Sequence, residues 1–214
     1  MTVYEYRKLK VDPRGWRRVA DAVHGPIADA AGTAGGSVFH LGSGLIGAGN
    51  DEGYLITAWP DTEVLAQRGA ATLGNMPGVV ESSNFARLTP SARPHDTQAP
   101  SDPGVYAHRW FSIDVDHWPE FLDLSENRIW PYIETYGARI VGFWRNMDSS
   151  LPENRVLLVT RYASMSEWDR TRLESSSAPP GSNAELYADA RAAVLRRAEL
   201  TRWSIVRILR PILA

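Results

Sequence analysis

The chain has 214 residues, a formal net charge of −2, 43% hydrophobic and 22% charged side chains, and no cysteine. These are the proportions of a soluble globular protein of one large or two small domains. The near-neutral charge gives no reason to expect nucleic acid or an anionic membrane as partner, and the missing cysteine removes disulfides, thiolate nucleophiles and cysteine-ligated metals. No run of about 18 apolar residues is present to span a bilayer. The opening MTVYEYRKLK lacks the apolar stretch of a signal peptide, so a cytoplasmic location is expected.

Val3 to Val11 alternates and carries Tyr, Val and Leu, which suits a strand. Asp12-Pro13 supplies an N-cap and a first-turn proline; Trp16, Val19, Ala20, Val23 and Ile27 follow at helical spacing, and Gly32, Gly35 and Gly36 end the helix. Ser37 to Leu41 reads as a second strand, and a glycine-rich connection over 42–53 leads to a third, Tyr54 to Trp59. Pro60-Asp61 opens a second helix through about Ala71, and Val79 to Leu88 is the fourth strand. The order is β-α-β-β-α-β. From Thr89 to Gly104, Pro90, Pro94, Pro100 and Pro103 and a dearth of apolar side chains predict an extended, exposed connection. The expected division is a unit over 1–90, a linker over 91–104, and a second unit over 105–214.

The second unit repeats the order, with strands at Val105 to Ile113, Arg139 to Trp144, Arg155 to Tyr162 and Trp203 to Leu209. Its helices are expected from Asp114 to Thr135, from a Ser164 or Ser166 cap, and from Ala184 to Leu200; the insertion SSSAPPGSN has no counterpart in the first unit. The repetition is visible in the letters. VYEYRKLKVDPRGW returns as VYAHRWFSIDVDHW, so Val3, Tyr4, Arg7, Asp12 and Trp16 fall on Val105, Tyr106, Arg109, Asp114 and Trp118. Ordinary residue usage gives about one such match by chance. NFARLTP against SIVRILR puts Arg87 on Arg207. A βαββαβ unit makes a four-stranded sheet with both helices on one face and leaves the other bare. Two such units in tandem cover each other, which predicts an α+β fold: two ferredoxin-like units closing a pseudo-twofold α/β barrel within one chain.

Strand parity sorts Glu5, Arg7, Leu9 and Val11 to one face and Tyr4, Tyr6, Lys8 and Lys10 to the other. If the tyrosines pack under the helices, Glu5, Arg7 and Arg109 enter the space between the sheets, where the arginines could hold a carboxylate or enolate. The competing reading is that Glu5 and Arg7 pair with each other or with their repeat partners. With the faces reversed, Tyr6, His108 and Trp110 line the cavity. Among the histidines, His40 and His108 lie on strands and, with His24 on the first helix, are the candidates for a general base or a haem ligand. Trp59, Trp110 and Trp144 are candidates for an aromatic lining. The DVDHWPE stretch matches no established ligand spacing, so no metal is assigned. Gly42-Ser43-Gly44-Leu45-Ile46-Gly47 fits GxGxxG, but a strand follows rather than the helix a dinucleotide needs, so it reads as a mobile hairpin loop. The C-terminal arginines, 191, 196, 197, 202, 207 and 210, alternate with glutamate and apolar residues and read as a solvated helix face with strand-edge charge.

Tyr4-Glu5-Tyr6-Arg7, Asp12-Pro13, Trp59 at a strand end and Arg87 within Asn84 to Pro90 resemble the NIPSNAP-like proteins of the dimeric α/β-barrel superfamily, with the second unit as a more divergent copy. That resemblance implies a barrel of two such units and admits cofactor-free oxygenases, isomerases and cyclases, haem degraders, and proteins without a known reaction. The expectation is a small-molecule enzyme of specialised metabolism that needs no cofactor, with a pocket between the two sheets. His40 and His108 would be catalytic; Glu5, Arg7, Arg109, Trp59, Trp110 and Trp144 would hold a small apolar or aromatic carbonyl or carboxylate ligand. The alternatives are a non-catalytic ligand-binding or scaffold protein, and haem binding or degradation. The chain would act as a monomer with an intrachain barrel or as a homodimer.

Overall fold

A computed structural model describes residues 1–73, 76–173, 178 and 180–213; of the expected insertion at 175–183, residues 175–177 and 179 fall outside them. Among the described residues, the strands are β1 (Val3–Val11), β2 (Ser37–Ile46), β3 (Glu52–Trp59), β4 (Val79–Arg93), β5 (Val105–Asp114), β6 (Arg139–Asn146), β7 (Glu153–Tyr162) and β8 (Thr201–Pro211). They close a barrel in the order β1-β3-β2-β8-β5-β7-β6-β4. Each unit contributes four antiparallel strands, and the seams are β2 against β8 and β4 against β6. Helices lie on the outside. Helix α1 runs through Trp16–Ala22, Val23–Ile27 and Ala28–Thr33, α2 through Thr62–Val64, Leu65–Gly69 and Ala70–Leu73, and α3 through Trp118–Asp123, Leu124–Ile129 and Trp130–Glu134. Helices α4 (Met165–Arg170) and α5 (Ala184–Glu199) complete the second unit. No helix is long and apolar enough to cross a membrane among the described residues.

Local signals explain most boundaries. The Asp61 carboxylate accepts from the Val64 amide at 2.8 Å, Ser164 Oγ from Glu167 at 3.2 Å and Asn183 Oδ1 from Leu186 at 3.0 Å, so each of these helices starts on a side-chain cap. Asp12 does not cap α1. Its carboxylate accepts from the Arg14 amide at 2.9 Å in a turn, and the helix begins later, behind Gly15.

Two segments differ from expectation because tertiary pairing overrides propensity. The GxGxxG stretch is strand rather than loop as far as Ile46: Gly42 is bonded between Tyr54 of β3 and Pro211 of β8. A Cβ on Gly44 would lie 2.4 Å from the Gly49 carbonyl, which explains the glycine. The fourth strand continues past Leu88 through Pro90 to Arg93, pairing with β6. The connection that follows is not simply extended and exposed. Tyr4 Oη donates to the Asp96 carbonyl at 3.1 Å, Tyr106 Oη to Asp102 at 2.8 Å, and Arg139 pairs with the Asp102 carboxylate at 3.0 Å. It therefore closes one end of the barrel.

The described residues form three cores, one inside the barrel and one under the helices of each unit. Inside are Tyr4, Tyr6, Phe39, Tyr54, Tyr106, Trp110, Trp144, Leu157 and Leu209. Outside, under α1 and α2, are Val3, Leu9, Val11, Val19, Val23, Leu55, Trp59 and Leu65. The tyrosines face inward and Glu5, Arg7 and Arg109 face the helices, the reverse of the leading sequence reading. An eight-strand cylinder has room for large rings at its centre. Helices rich in Ala and Val, such as α1, pack instead on the aliphatic face.

A further correction concerns the last strands. Tyr4 pairs with Leu88, whereas Tyr106 pairs with Leu209. Leu88 and Leu209 are therefore equivalent, and Arg207 stands where the first unit has Ala86, not Arg87. A one-residue slip exchanges the faces of a strand: Arg207 points into the barrel, and Arg87 points out to pair with Asp148.

Candidate functional site beneath the C-terminal helices

The first unit's Glu5 and Arg7 neutralise each other. Glu5 is 2% exposed, and Arg7 Nη2 donates to its Oε1 at 2.5 Å. Burial pushes the Glu5 carboxyl up while Arg7 pulls it back. Leu65 and Trp59 belong to the same outer-face core, and Trp59 Nε1 donates at 2.9 Å to Thr57 Oγ1, on the β3 residue that pairs with Glu5. Neither the pair nor Trp59 lines a cavity between the sheets. They form a closed, ion-paired part of the outer core, in which Glu5 Oε2 and Arg7 Nε have no hydrogen-bond partner.

The same place in the second unit is open. Ala107 replaces Glu5, and Arg109, the equivalent of Arg7, has no carboxylate partner among the described residues. It lines a cavity of about 580 Å³ between the outer face of the sheet and helices α3, α4 and α5. The walls are Ile129, Trp130, Ile133, Leu158, Trp168, Leu173, Val194 and Val206, with Thr160, Tyr162 and Thr171 as hydroxyls. The charged side chains in this lining are Arg109, Arg172, Arg191 and Arg197; no Asp or Glu joins them among the described residues.

Arg197 enters from α5, one face of which also buries Ala190 and Ala193. Its guanidinium lies 5.0 Å from the Phe111 ring and 5.5 Å from that of Phe121, and it donates to Ser125 Oγ at 3.1 Å. Desolvation and the neighbouring Arg109 charge bring its pKa down to about 9. Arg109 is likewise lowered, chiefly by burial, and the Arg191 Nε has no hydrogen-bond partner. Burial raises the Tyr162 hydroxyl, which stays protonated at neutral pH with Thr171 and Thr160 beside it. Unpaired guanidinium groups in an apolar wall are costly unless an anion completes them. Arg197, expected on a solvated helix face, is instead turned inward onto Ser125 and the Phe111 ring. The signal was its spacing from Ala190, Ala193 and Val194, which puts it on the buried helix face.

The remaining candidates sit inside the barrel, on the other side of the sheet. His108 is fully buried; its Nδ1 lies 3.0 Å from Tyr6 Oη, and its ring centroid is 5.2 Å from that of His40. His40 stacks on Tyr106 at 4.6 Å. Burial lowers the His40 pKa to about 3 and takes His108 well below its ordinary value, so both are neutral. Trp144 packs on Tyr4 and Phe39. These residues do not line the arginine pocket, so neither histidine is placed to move a proton there. His24 is outside the barrel, bonded to the Ile212 carbonyl at 2.9 Å. Among the described residues the pocket lining offers no histidine to a haem iron, and its unsatisfied buried side-chain atoms are the N–H donors Trp130 Nε1 and Arg191 Nε.

No family model and no curated protein matches the sequence. Solved structures do match the fold. A proposed monooxygenase from Lactobacillus acidophilus is 11% identical, with a TM-score of 0.61 over 99% of this chain and 94% of that one. An anthrone oxidase-like protein is 12% identical, with a TM-score of 0.56 over 98% of this chain and 91% of that one. A NIPSNAP domain protein from Burkholderia xenovorans is 21% identical but covers 50% of this chain and 93% of its own, at a TM-score of 0.37 that supports no argument for the family. What the likenesses establish is the fold: a closed eight-stranded α/β barrel, with both four-stranded units on one polypeptide.

Proposed function

We propose that the protein binds a small, mostly apolar carboxylate or enolate beneath the C-terminal helices and acts on it without a cofactor, by oxygenation or isomerisation. The observation that carries this reading is the pairing of Arg109 and Arg197, lacking carboxylates among the described residues, with a largely apolar cavity of about 580 Å³. That volume lies within the range of small-molecule sites. Two guanidinium groups with fixed donors lower the energy of an oxyanion held between them. With no carboxylate or histidine in the described lining, the pocket favours a substrate acidic enough to ionise readily. An electron-rich enolate stabilised in this way can react directly with dioxygen. Trp130 and Trp168 contribute aromatic wall around its ring, and the protonated Tyr162 can donate to a carbonyl oxygen. The protein neighbours described as a proposed monooxygenase and as anthrone oxidase-like agree with this reading.

The test is a calorimetric titration with 2-naphthoate against its neutral analogue 2-naphthalenemethanol. A charge-assisted hydrogen bond is worth about 1.5–3 kcal/mol. The naphthoate should therefore bind at least tenfold more tightly than the alcohol, and Arg109→Met or Arg197→Met should erase the difference. Equal affinity for the two probes would overturn the reading. Oxygen uptake with anthrone, a ketone whose enol is aromatic, tests the turnover. The lack of a base in the described lining also favours a second reading, a carrier without catalysis, which predicts naphthoate binding and no uptake.

A further inference from the structure

The end of the barrel opposite the linker holds a second recess, of about 440 Å³, lined by Trp110, Asn146, Arg155, Trp203, Ser204, Ile205 and Arg207. Its rim is open to solvent although it carries large apolar groups, Trp203 at 41% and Ile205 at 43% exposure, while Trp110, 2% exposed, closes the floor. The cations on the inward faces of the surrounding strands form a consistent pattern. Lys8 pairs with Glu52 at 2.7 Å, Lys10 with Asp51, and Arg155 with Glu153 at 3.0 Å. Arg207 has no carboxylate partner among the described residues and stacks 5.7 Å from the Tyr54 ring. This arginine occupies the position of Ala86 in the first unit, and Trp110 the position of Lys8. Divergence of the repeat has therefore placed an aromatic floor and an unneutralised cation at the same barrel mouth.

We infer that the barrel mouth is a second ligand site, distinct from the pocket beneath the helices, and that it takes a planar aromatic anion. The ring would lie between Trp110 and Trp203 with Ile205 at its edge, and the anionic group would meet Arg207. Stacking on an indole suits a flat π-system, and a guanidinium at one end of the recess selects for charge. A concave recess with a single unmet cation fits a small molecule better than a flat protein face does.

The probe is 1-anilinonaphthalene-8-sulfonate. It is titrated into the Arg109→Met/Arg197→Met protein, where the other pocket has lost two of its cations, so the result does not depend on the proposed function. The expected result is one saturable site that quenches tryptophan fluorescence. Arg207→Met and, separately, the surface change Trp203→Ala should each weaken it tenfold or more, with far-ultraviolet circular dichroism and the thermal unfolding midpoint unchanged. Absence of saturable binding overturns the inference, as does binding that both substitutions leave unaltered. A concentration-dependent dimer in sedimentation that Trp203→Ala dissociates would also overturn it, by assigning the face to a second copy of the chain.

Discussion

The two units share a strand but treat its arginine in opposite ways. In the first, Glu5 lies two residues before Arg7 on the same face, the two bond at 2.5 Å, and helices seal over them. In the second, Ala107 leaves Arg109 without a carboxylate partner among the described residues, and a cavity opens where the first unit has a core. The inward face diverges as well, where Tyr6 becomes His108 and Ala86 becomes Arg207. A homodimer must keep its two units alike. A fused pair can retain one as a stable wall and let the other carry unpaired charge, which is a stability cost that a functional site can justify.

The contrast can be broken most forcefully at Arg7. Arg7→Met strands a buried carboxylate and should cost about 3–5 kcal/mol. Arg109→Met removes a desolvated cation and should leave stability unchanged or raised. Urea denaturation of the two proteins compares them directly, and equal losses would mean that the units do not differ in the way described.

Acid offers the next test. Unfolded His40 takes up a proton near pH 6.5, while the folded state refuses it until about 3. Stability should fall as the pH drops from 6.5 towards 3, by about 1.4 kcal/mol per pH unit for a fully coupled group. The His108 shift has the same direction. His108→Tyr, which restores the first unit's residue, should flatten the profile of unfolding midpoint against pH; an unchanged slope would assign the acid sensitivity elsewhere.

The smallest effect belongs to the exposed Arg87–Asp148 pair. Asp148→Ala should cost less than about 1 kcal/mol and leave naphthoate binding intact. A larger loss would show that the seam between β4 and β6 depends on this contact.

Much of this architecture is legible in the chain. The repeat of VYEYR as VYAHR, the alternation of β1 and the Ser164 and Asp61 caps lead to two βαββαβ units and a closed barrel, because local propensity and tertiary pairing agree there. The face assignment was not legible. In a barrel wrapped by helices both faces of a strand are buried, so parity separates Tyr4 and Tyr6 from Glu5 and Arg7 without saying which set goes inside. The change from Glu5 to Ala107 did mark the divergent position, although its cavity lies under the helices rather than between the sheets. Arg197 escaped notice because its neighbours Arg196 and Glu199 are exposed and paired, which masks the single helix face that turns inward. Arg207 was misaligned because the letter match rested on the shared arginine, whereas the pairing of Tyr4 with Leu88 and of Tyr106 with Leu209 fixes a register one residue away.

The most direct test is to return the first unit's carboxylate to the second. Ala107→Glu places an acid two residues before Arg109 on the pocket face, as Glu5 stands before Arg7. If the unpaired arginine makes the site, calorimetry should show 2-naphthoate binding weakened tenfold or more, while the affinity for 2-naphthalenemethanol changes little. Naphthoate binding as tight as in the unsubstituted protein, with the fold intact, would contradict the account.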